Sequence, residues 1–185
     1  MSTKVLKEVL VTKTEIQSLC LKLAKEIEQD YQDKEPAIFL GLLKGCHPFM
    51  TDLIRHINLT LEVDYMDVSS FFGAVKSQGE VQIIKDMTAS VKNRDIIIVE
   101  DIVDSGRTIK KVKELLEFRG AKSVEIVTLI DKPSGRTVDL AAKYIGTEVP
   151  NAFIIGYGLD YKEYYRNLEE IGIPRDEIIK EHDEK

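Results

Sequence analysis

The stretch IIIVEDIVDSGRT, residues 96–108, decides the fold of this chain. Its first four residues are apolar, which is typical of a short strand that is covered on both faces of a sheet. Two acids, Glu100 and Asp101, come next, and the polar turn at 104–108 leads into apolar residues at helical spacing over 109–116. The pattern predicts a strand, a polar turn and a helix, which together form one half of a βαβ unit.

Apolar runs and helical patterns alternate along the rest of the chain. Further strands are predicted at residues 37–43, 60–68, 81–84, 124–130 and 152–155, a strand or lead-in at 5–11, and further helices at 12–31 and 49–57. This alternation predicts an α/β fold with a mostly parallel central sheet flanked by helices. No repeat, low-complexity tract or linker divides the chain, so residues 1–185 are predicted to form a single domain.

The composition is that of a globular protein with a modest excess of acid. The chain has 26 basic and 32 acidic side chains, for a formal net charge of −6, and 43% of its residues are hydrophobic. This balance excludes an intrinsically disordered chain and argues against broad binding of a nucleic-acid backbone, which depends on clustered Lys and Arg. No apolar run approaches the roughly 20 residues that a membrane-spanning helix requires. We therefore expect neither nucleic acid nor a membrane as a partner.

The cysteines and the N-terminal residues indicate the compartment. Cys20 and Cys46 have neither CxxC spacing nor a nearby His pair, so no zinc site is expected. Residues 1–7 lack the apolar stretch of a secretory signal. Two cysteines without a disulfide pattern are typical of a reducing compartment, and we expect a cytoplasmic protein.

Residues 100–108 hold the chemistry that the sequence predicts. Glu100 and Asp101 are expected at the carboxyl end of a buried strand, which is the edge where open α/β sheets bind ligands. The turn that follows supplies a helix N-terminus, a glycine and two hydroxyls, and this combination suits a phosphate. A phosphorylated sugar fits both parts of this segment. Its phosphate would bind the turn, and its hydroxyls or a bound Mg²⁺ would contact the two acids. In the alternative interpretation the acids merely end a strand and Asp104 caps the helix. Neither a Walker P-loop nor a dinucleotide fingerprint is present.

Several segments carry a resemblance to a known family. The segment VEDIVDSGRT, residues 99–108, resembles the phosphoribosyl-pyrophosphate (PRPP) binding motif of type I phosphoribosyltransferases. The resemblance is narrowed to the hypoxanthine-guanine phosphoribosyltransferases by LLKG at 42–45, VSSF at 68–71, LIDKP at 129–133 and FIIGYGLDYKEYYRNL at 153–168. It covers about residues 5–174, and the segment at 153–168 together with that around Lys132 is its most selective part.

The resemblance implies a purine-salvage enzyme, a glycosyltransferase that moves a pentosyl group. Such an enzyme transfers the 5-phosphoribosyl group from PRPP to hypoxanthine and guanine, giving IMP or GMP plus pyrophosphate, with Mg²⁺ as cofactor. The resemblance also implies a type I phosphoribosyltransferase fold, a small hood formed by about residues 1–15 and 150–180, and a homodimer or homotetramer. The preference among hypoxanthine, guanine and xanthine stays open at this point. The alternatives are a phosphoribosyltransferase that prefers another base, such as xanthine, and a PRPP- or nucleotide-sensing regulator that keeps the fold and binds nucleic acid.

The resemblance assigns roles to individual residues of the PRPP site. Asp104 matches the general base, which accepts a proton from the purine ring. The ribose and its 5′-phosphate are expected to contact Glu100, Asp101, Asp104, Ser105, Gly106, Arg107 and Thr108, and pyrophosphate is expected to contact Lys44, Gly45 and Arg166. Glu100, Asp101 and Asp160 match the acids that place Mg²⁺, directly or through water. The family also places a cis peptide bond before Lys44.

The resemblance likewise implies a purine site and a lid. The purine positions are Lys132, Phe153, Ile154 and Asp160, with Phe153 stacked on the ring. Lys132 is expected to donate to the 6-oxo oxygen, and because an ammonium has donors only, it disfavours adenine. Residues 69–79 match a flexible lid that includes Ser70 and Phe71. Phe71 stands where the family usually has Tyr, so any contact made by that hydroxyl is lost.

Overall fold

A computed structural model describes residues 2–70 and 81–183. The strands of its central sheet lie in the order β4-β3-β2-β5-β6-β7. They are β2 (Ile38–Leu43), β3 (Glu62–Ser70), β4 (Val81–Lys85), β5 (Asp95–Val103), β6 (Ser123–Asp131) and β7 (Tyr144–Glu148). Neighbouring strands pair in parallel, except that β3 and β4 are antiparallel. A smaller antiparallel sheet pairs β1 (Leu6–Val11) with β8 (Ile171–Pro174).

Helices cover both faces of the central sheet. They are α2 (Lys13–Tyr31), α3 (His47–Arg55) and α4 (Arg107–Phe118). The short helices α1 (Ser2–Val5) and α5 (Asp176–Asp183) contribute instead to a separate cluster with Leu6 and Leu168, and a 3₁₀ turn spans Pro133–Gly135. On one face α2 and α3 share a buried cluster with Phe39, Ile97 and Val99. On the other face α4 shares a second cluster with Ile96 and Ile98. Each large aliphatic side chain buried in this way contributes about 1.5–3 kcal/mol. The predicted α/β fold with a flanked, mostly parallel sheet is confirmed.

Strand β5 is longer than its apolar run predicts. Its parallel register with β6 continues from Asp95 to Val103. Glu100 and Asp101 therefore lie inside the strand near its carboxyl end, and the turn begins at Asp104, as the sequence indicates. Only the apolar run, which ends at Val99, is shorter than the strand, because polar side chains continue the pairing with β6.

The last predicted strand is wrong. Residues 152–155 form no strand, and Ile155 makes only an isolated bridge to Gly172. The sixth position of the sheet is taken by β7, which the sequence did not single out because Gly146 interrupts its short apolar pattern. A glycine is required there, since a Cβ on Gly146 would lie 2.4 Å from the carbonyl oxygen of Leu129 on the neighbouring strand.

Other predictions concern the ends of the chain and the lid. The predicted lid at 69–79 lies outside the described residues from Phe71 onward, and Ser70 is the last residue of β3. The small hood that residues from about 1–15 and 150–180 are expected to form stays a prediction. Among the described residues, no helix combines the length and the apolar character needed to cross a membrane.

Candidate active site

A cavity of about 250 Å³ opens at the carboxyl ends of the parallel strands. Its walls include Glu100, Asp101 and Ile102 from β5, Asp104, Ser105 and Gly106 from the turn, Thr108 and Ile109 from α4, Leu42, Leu43 and Gly45 near the end of β2, and Val68 from β3. The structure thus brings most of the predicted PRPP motif around one cavity. That cavity lies at the edge where open α/β sheets bind ligands.

The two acids of β5 are almost completely buried. Glu100 and Asp101 each expose only 9% of their surface. Burial raises the pKa of Asp101 to about 6, although a hydrogen bond from the Ile102 backbone N–H, at 2.9 Å, favours its ionised form. Burial and the charge of Asp101 raise the pKa of Glu100 well above its ordinary value. Two neighbouring buried carboxylates are stabilised by a cation or by several hydroxyl donors.

The turn into α4 leaves backbone N–H groups without partners in their own helix. Gly106 is the N-cap and has a φ of 77°, a conformation that residues with a Cβ rarely adopt. No side chain caps this helix end, so Asp104 is not the cap that the alternative interpretation required. The first N–H groups of α4 are therefore available to an anion, next to the hydroxyls of Ser105 and Thr108. Arg107 is the first residue of α4, and its Nε donates to Thr137 Oγ1 at 2.9 Å.

The carboxylate of Asp104 lies directly beside the ammonium of Lys132. The distance from Lys132 Nζ to Asp104 Oδ2 is 3.0 Å. Strands β5 and β6 bring them together, because Val103 pairs with Asp131 and the N–H of Lys132 donates to the Val103 carbonyl at 3.0 Å. Gly135 packs against the same carboxylate, since a Cβ there would lie 1.9 Å from Asp104 Oδ1. The predicted general base and the predicted purine-binding lysine are thus neighbours.

The loop after β2 approaches the acids of β5 from the other side. The peptide bond between Leu43 and Lys44 is cis. A Cβ on Gly45 would lie 1.9 Å from Asp101 Oδ2, and a Cβ on Gly158 would lie 2.0 Å from the carbonyl oxygen of Gly45. Glycine at both positions therefore allows the loop to contact β5 and the segment around residue 158 at once.

Arg166 is held by three acceptors in the segment between β7 and β8. Its Nη1 donates to the carbonyl of Gly158 at 2.7 Å and lies 3.0 Å from Asp160 Oδ1. Its Nη2 lies 3.2 Å from Glu163 Oε1, and the other oxygen of Glu163 lies 2.9 Å from Lys44 Nζ. The hydrogen bond from Lys44 and the charge of Arg166 lower the pKa of Glu163. Lys44 and Arg166, the two predicted pyrophosphate contacts, thus share one carboxylate.

The remaining predicted purine contacts lie in the same segment. Phe153 is 51% exposed and meets the ring of Tyr161 edge-on, with 5.6 Å between ring centroids. It is therefore not the core strand residue that its apolar surroundings indicate. Ile154 is buried, and Asp160 is near enough to Asp101 for its charge to raise the pKa of that residue. Among the described residues, the walls of the 250 Å³ cavity do not include Phe153, Ile154 or Asp160.

The acids of β5 are the candidate ligands for Mg²⁺. Among residues 2–70 and 81–183, no three acidic, His or Cys side chains are grouped closely enough to hold a metal ion by themselves. Asp160, the third predicted ligand, is bound to Arg166 instead. Mg²⁺ usually takes one or two protein carboxylates and completes its shell with water and phosphate oxygens of the substrate. Glu100 and Asp101 fit that donor set.

Several residues that contact the predicted site were missed by the sequence reasoning, among them the charged residues Glu163 and Arg136. Glu163 has one local signal, because it stands three residues before Arg166 and can pair with it. Arg136 has no such signal in the sequence. In the structure its Nε donates to the carbonyl of Asp104 at 3.0 Å, and its Nη2 donates to the carboxylate of Asp131. Only the folded chain brings Arg136 to these partners.

Comparison with known proteins agrees with this geometry. Residues 10–162 match the family model of the phosphoribosyl transferase domain. A curated hypoxanthine-guanine phosphoribosyltransferase from Staphylococcus aureus is 50% identical over 173 residues, which cover 94% of this chain and 96% of that protein.

Solved structures show the same relationship. The crystal structure of a hypoxanthine phosphoribosyltransferase from Staphylococcus aureus has a TM-score of 0.89 and 48% identity, covering 96% of this chain and 98% of that one. A hypoxanthine phosphoribosyltransferase from Trypanosoma cruzi has a TM-score of 0.92 and 33% identity, covering 98% of both chains. These values confirm the resemblance that the sequence motifs indicate. The chain belongs to the phosphoribosyl transferase domain family and, within it, to the hypoxanthine-guanine phosphoribosyltransferases.

Proposed function

We propose that this chain transfers the 5-phosphoribosyl group of PRPP to N9 of hypoxanthine and guanine, giving IMP or GMP plus pyrophosphate. The observation that carries the proposal is the 3.0 Å contact between Lys132 Nζ and Asp104 Oδ2, beside the cavity and the start of α4. N7 and O6 of a 6-oxopurine are neighbouring atoms on one edge of the base. A carboxylate and an ammonium at this separation can engage both atoms together. The names of the relatives support the same reaction.

The cavity offers each part of PRPP a partner of suitable chemistry. The 5′-phosphate binds the free N–H groups at the start of α4 and the hydroxyls of Ser105 and Thr108, while Gly106 lets the backbone come close. Arg107 adds positive charge at this helix start. The buried carboxylates of Glu100 and Asp101 accept hydrogen bonds from the ribose hydroxyls, which replace the water that these acids have lost.

The purine is activated and recognised by the Asp104–Lys132 pair. As N9 attacks the anomeric carbon, the C1′–O bond to pyrophosphate breaks and Asp104 accepts the proton from N7, which makes the base a better nucleophile. Lys132 donates to O6, so adenine is disfavoured because its 6-amino group is itself a donor. Phe153 stacks on the ring, Ile154 contacts the base through its backbone, and Asp160 lies near the 2-position.

The leaving pyrophosphate is stabilised by positive charge. Lys44 and Arg166 neutralise the charge that grows on it, next to the backbone of Gly45. Glu100 and Asp101 would hold Mg²⁺ together with PRPP oxygens, and the ion would supply further charge neutralisation. Glu163 holds both cations, so its bonds are exchanged for bonds to the phosphate oxygens.

A direct assay tests the proposal. The purified chain is incubated with PRPP, Mg²⁺ and one base at a time, and nucleotide products are separated by chromatography. We expect IMP from hypoxanthine and GMP from guanine, with adenine used at least ~10²-fold less efficiently because Lys132 rejects its amino group. The absence of IMP at every pH between about 6 and 9 contradicts the proposal.

Two further measurements address the alternatives from the sequence. Competition among hypoxanthine, guanine and xanthine ranks the bases and identifies a xanthine-preferring enzyme directly. A gel shift with DNA at several salt concentrations tests for a regulator that binds nucleic acid, since such binding weakens steeply with salt. The proposal expects no shift.

We also propose a homodimer or homotetramer in the cytoplasm. Cys20 and Cys46 are both free and buried, which suits a reducing compartment. Analytical ultracentrifugation measures the assembly.

A further inference from the structure

We propose that Arg136 is a positioning residue that fixes Asp104 and Lys132 at the spacing the purine edge requires. The inference deepens the proposed transfer reaction and rests on it. Arg136 touches no substrate in this proposal, and it acts only through the backbone and side chains that it holds.

Arg136 joins the ends of the two strands that carry the pair. Its Nε donates to the carbonyl of Asp104 at 3.0 Å, and its Nη2 donates to the carbonyl of Val103 at 3.3 Å. The same Nη2 donates to the carboxylate of Asp131, the residue before Lys132. One guanidinium therefore binds the end of β5, which carries the predicted general base, and the end of β6, which carries the purine-binding lysine.

A fourth bond holds the guanidinium in its own loop. Nη1 of Arg136 donates to the carbonyl of Leu140 at 2.5 Å. The side chain of Arg136 is 14% exposed and that of Asp131 is 9% exposed, so water competes little for these bonds. A planar guanidinium offers five donors in a fixed fork, whereas an ammonium offers three from one point. Lysine at this position can replace the charge but not the four bonds.

Thr137 ties the same loop to the PRPP turn. Its N–H donates to the carbonyl of Ser105 at 3.1 Å, and its Oγ1 lies 3.3 Å from the same carbonyl. Oγ1 also accepts from Arg107 Nε at 2.9 Å. Arg136 and Thr137 together connect the purine-binding loop with the turn that binds the sugar phosphate.

This connection has a consequence for the reaction. Asp104 and Lys132 bind neighbouring atoms of one base, and that base must also be placed against the sugar. A misplacement of about 1 Å in such a constellation lowers the rate by about 10²-fold. Loss of the clamp should therefore weaken use of the purine and blur the choice between 6-oxo and 6-amino bases, while binding of PRPP at α4 changes much less.

The experiment compares Arg136→Gln and Arg136→Lys with Arg94→Gln as the matched control. Arg94 is also a partly buried guanidinium that binds a carbonyl (Pro36, 3.1 Å) and a carboxylate (Glu62, 2.8 Å), but it lies just before β5, at the opposite end of that strand from Asp104. We expect Arg136→Gln to lower kcat/KM for hypoxanthine by about 10²-fold and to reduce the ratio of hypoxanthine to adenine use. Arg136→Lys should recover only part of the loss, and Arg94→Gln should change neither quantity.

Other readouts separate positioning from folding. Calorimetry measures PRPP binding, which the inference expects to persist in both Arg136 variants. If a folded Arg136→Gln protein keeps the wild-type kcat/KM and base ratio, or if Arg94→Gln loses as much, the inference is wrong.

A crystal structure of Arg136→Gln, or of Arg136→Lys if the former does not fold, tests the clamp without turnover. The inference expects the distance from Lys132 Nζ to Asp104 Oδ2 to increase beyond its present 3.0 Å. An unchanged distance overturns it. Failure of the proposed function is a different result, namely a wild-type protein that forms no IMP.

Discussion

The two ion pairs of the site differ in how firmly the protein holds them. On the purine side, the side chain of Lys132 is 7% exposed and that of Asp104 is 50% exposed, and Arg136 binds the backbone carbonyl of Asp104. On the pyrophosphate side, the side chains of Lys44 and Glu163 are 62% and 61% exposed. A pair whose two side chains are both exposed is screened by water and is easily exchanged, whereas a pair with one buried member and a hydrogen-bonded backbone keeps its geometry better.

The difference matches the chemistry of the two ligands. A purine is uncharged and must be recognised by donors and acceptors at fixed positions, which the half-buried Asp104–Lys132 pair can provide. Pyrophosphate is itself charged, so a cation on an exposed, adaptable side chain such as Lys44 can bind it and release it again. Changes on the purine side should therefore impair catalysis strongly, and changes on the pyrophosphate side should mainly alter phosphate affinity.

The largest effect is expected from Asp104→Asn on the purine side. The amide cannot accept the N7 proton, so kcat should fall by about 10²-fold or more while the protein stays folded. Steady-state IMP formation measures the loss, and a thermal melt checks the fold. Asp139→Asn is the matched control, because Asp139 is exposed in the same connection between β6 and β7. Equal activities of the two variants would show that Asp104 takes no part in the reaction.

A smaller loss is expected from Gly135→Ala, which displaces the same carboxylate without removing it. The added Cβ would lie 1.9 Å from Asp104 Oδ1, and the flexible end of that side chain can move away. We expect kcat/KM for hypoxanthine to fall by about 10-fold or more with little change in melting temperature. A large loss of stability at unchanged activity would show that Gly135 serves the fold instead of the carboxylate.

Asp101→Asn tests the buried acids that lie between the two sides. Burial raises the pKa of Asp101 to about 6 from an ordinary 3.8. The unfolded chain therefore loses this proton at lower pH than the folded one, and folding stability decreases as the pH rises from about 4 to about 6. At neutral pH the ionised group costs about 3 kcal/mol, taking 1.36 kcal/mol per pKa unit as the conversion.

The amide removes that cost and should raise the free energy of unfolding at neutral pH by up to about 3 kcal/mol, while activity with PRPP falls. Urea unfolding at two pH values measures the effect, which should disappear below about pH 4, where both states keep the proton. If Asp101→Asn is less stable than the wild type at neutral pH, the ionised carboxylate stabilises the fold and the expected gain in stability is refuted.

Local patterns predicted the centre of the sheet and the place of the site. The apolar run of β5 and the helical spacing of α4 are short-range signals, and they fix residues 100–108 at the carboxyl edge. These short-range signals do not predict where β5 ends, because pairing with β6 determines that position. They also do not predict β7, because the need for glycine at position 146 depends on the neighbouring strand.

The contacts that assemble the site join distant parts of the chain. Asp104 and Arg136 are 32 positions apart, and Lys44 and Glu163 are 119 apart. The periodicity of a sequence does not reveal contacts between such distant residues. The roles of Lys44, Lys132 and Arg166 were therefore assigned from the family resemblance. Phe153 shows most clearly where prediction from local sequence patterns fails. The apolar run around it indicates a buried strand, but in the structure Phe153 is half exposed.

The smallest effect is expected on the pyrophosphate side, from Glu163→Gln. The change keeps the shape of the side chain and removes the charge that competes with phosphate for Lys44 and Arg166. Pyrophosphate should then inhibit at a concentration a few-fold lower, about 2- to 5-fold, because exposed pairs are weak, and the effect should shrink at high salt. The KM for hypoxanthine should not change. Glu169→Gln is the control, since Glu169 also pairs with a lysine, Lys13, on the surface. If Glu163→Gln instead alters hypoxanthine use as much as pyrophosphate inhibition, the two sides of the site are coupled and their separation into a fixed half and an exchangeable half does not hold.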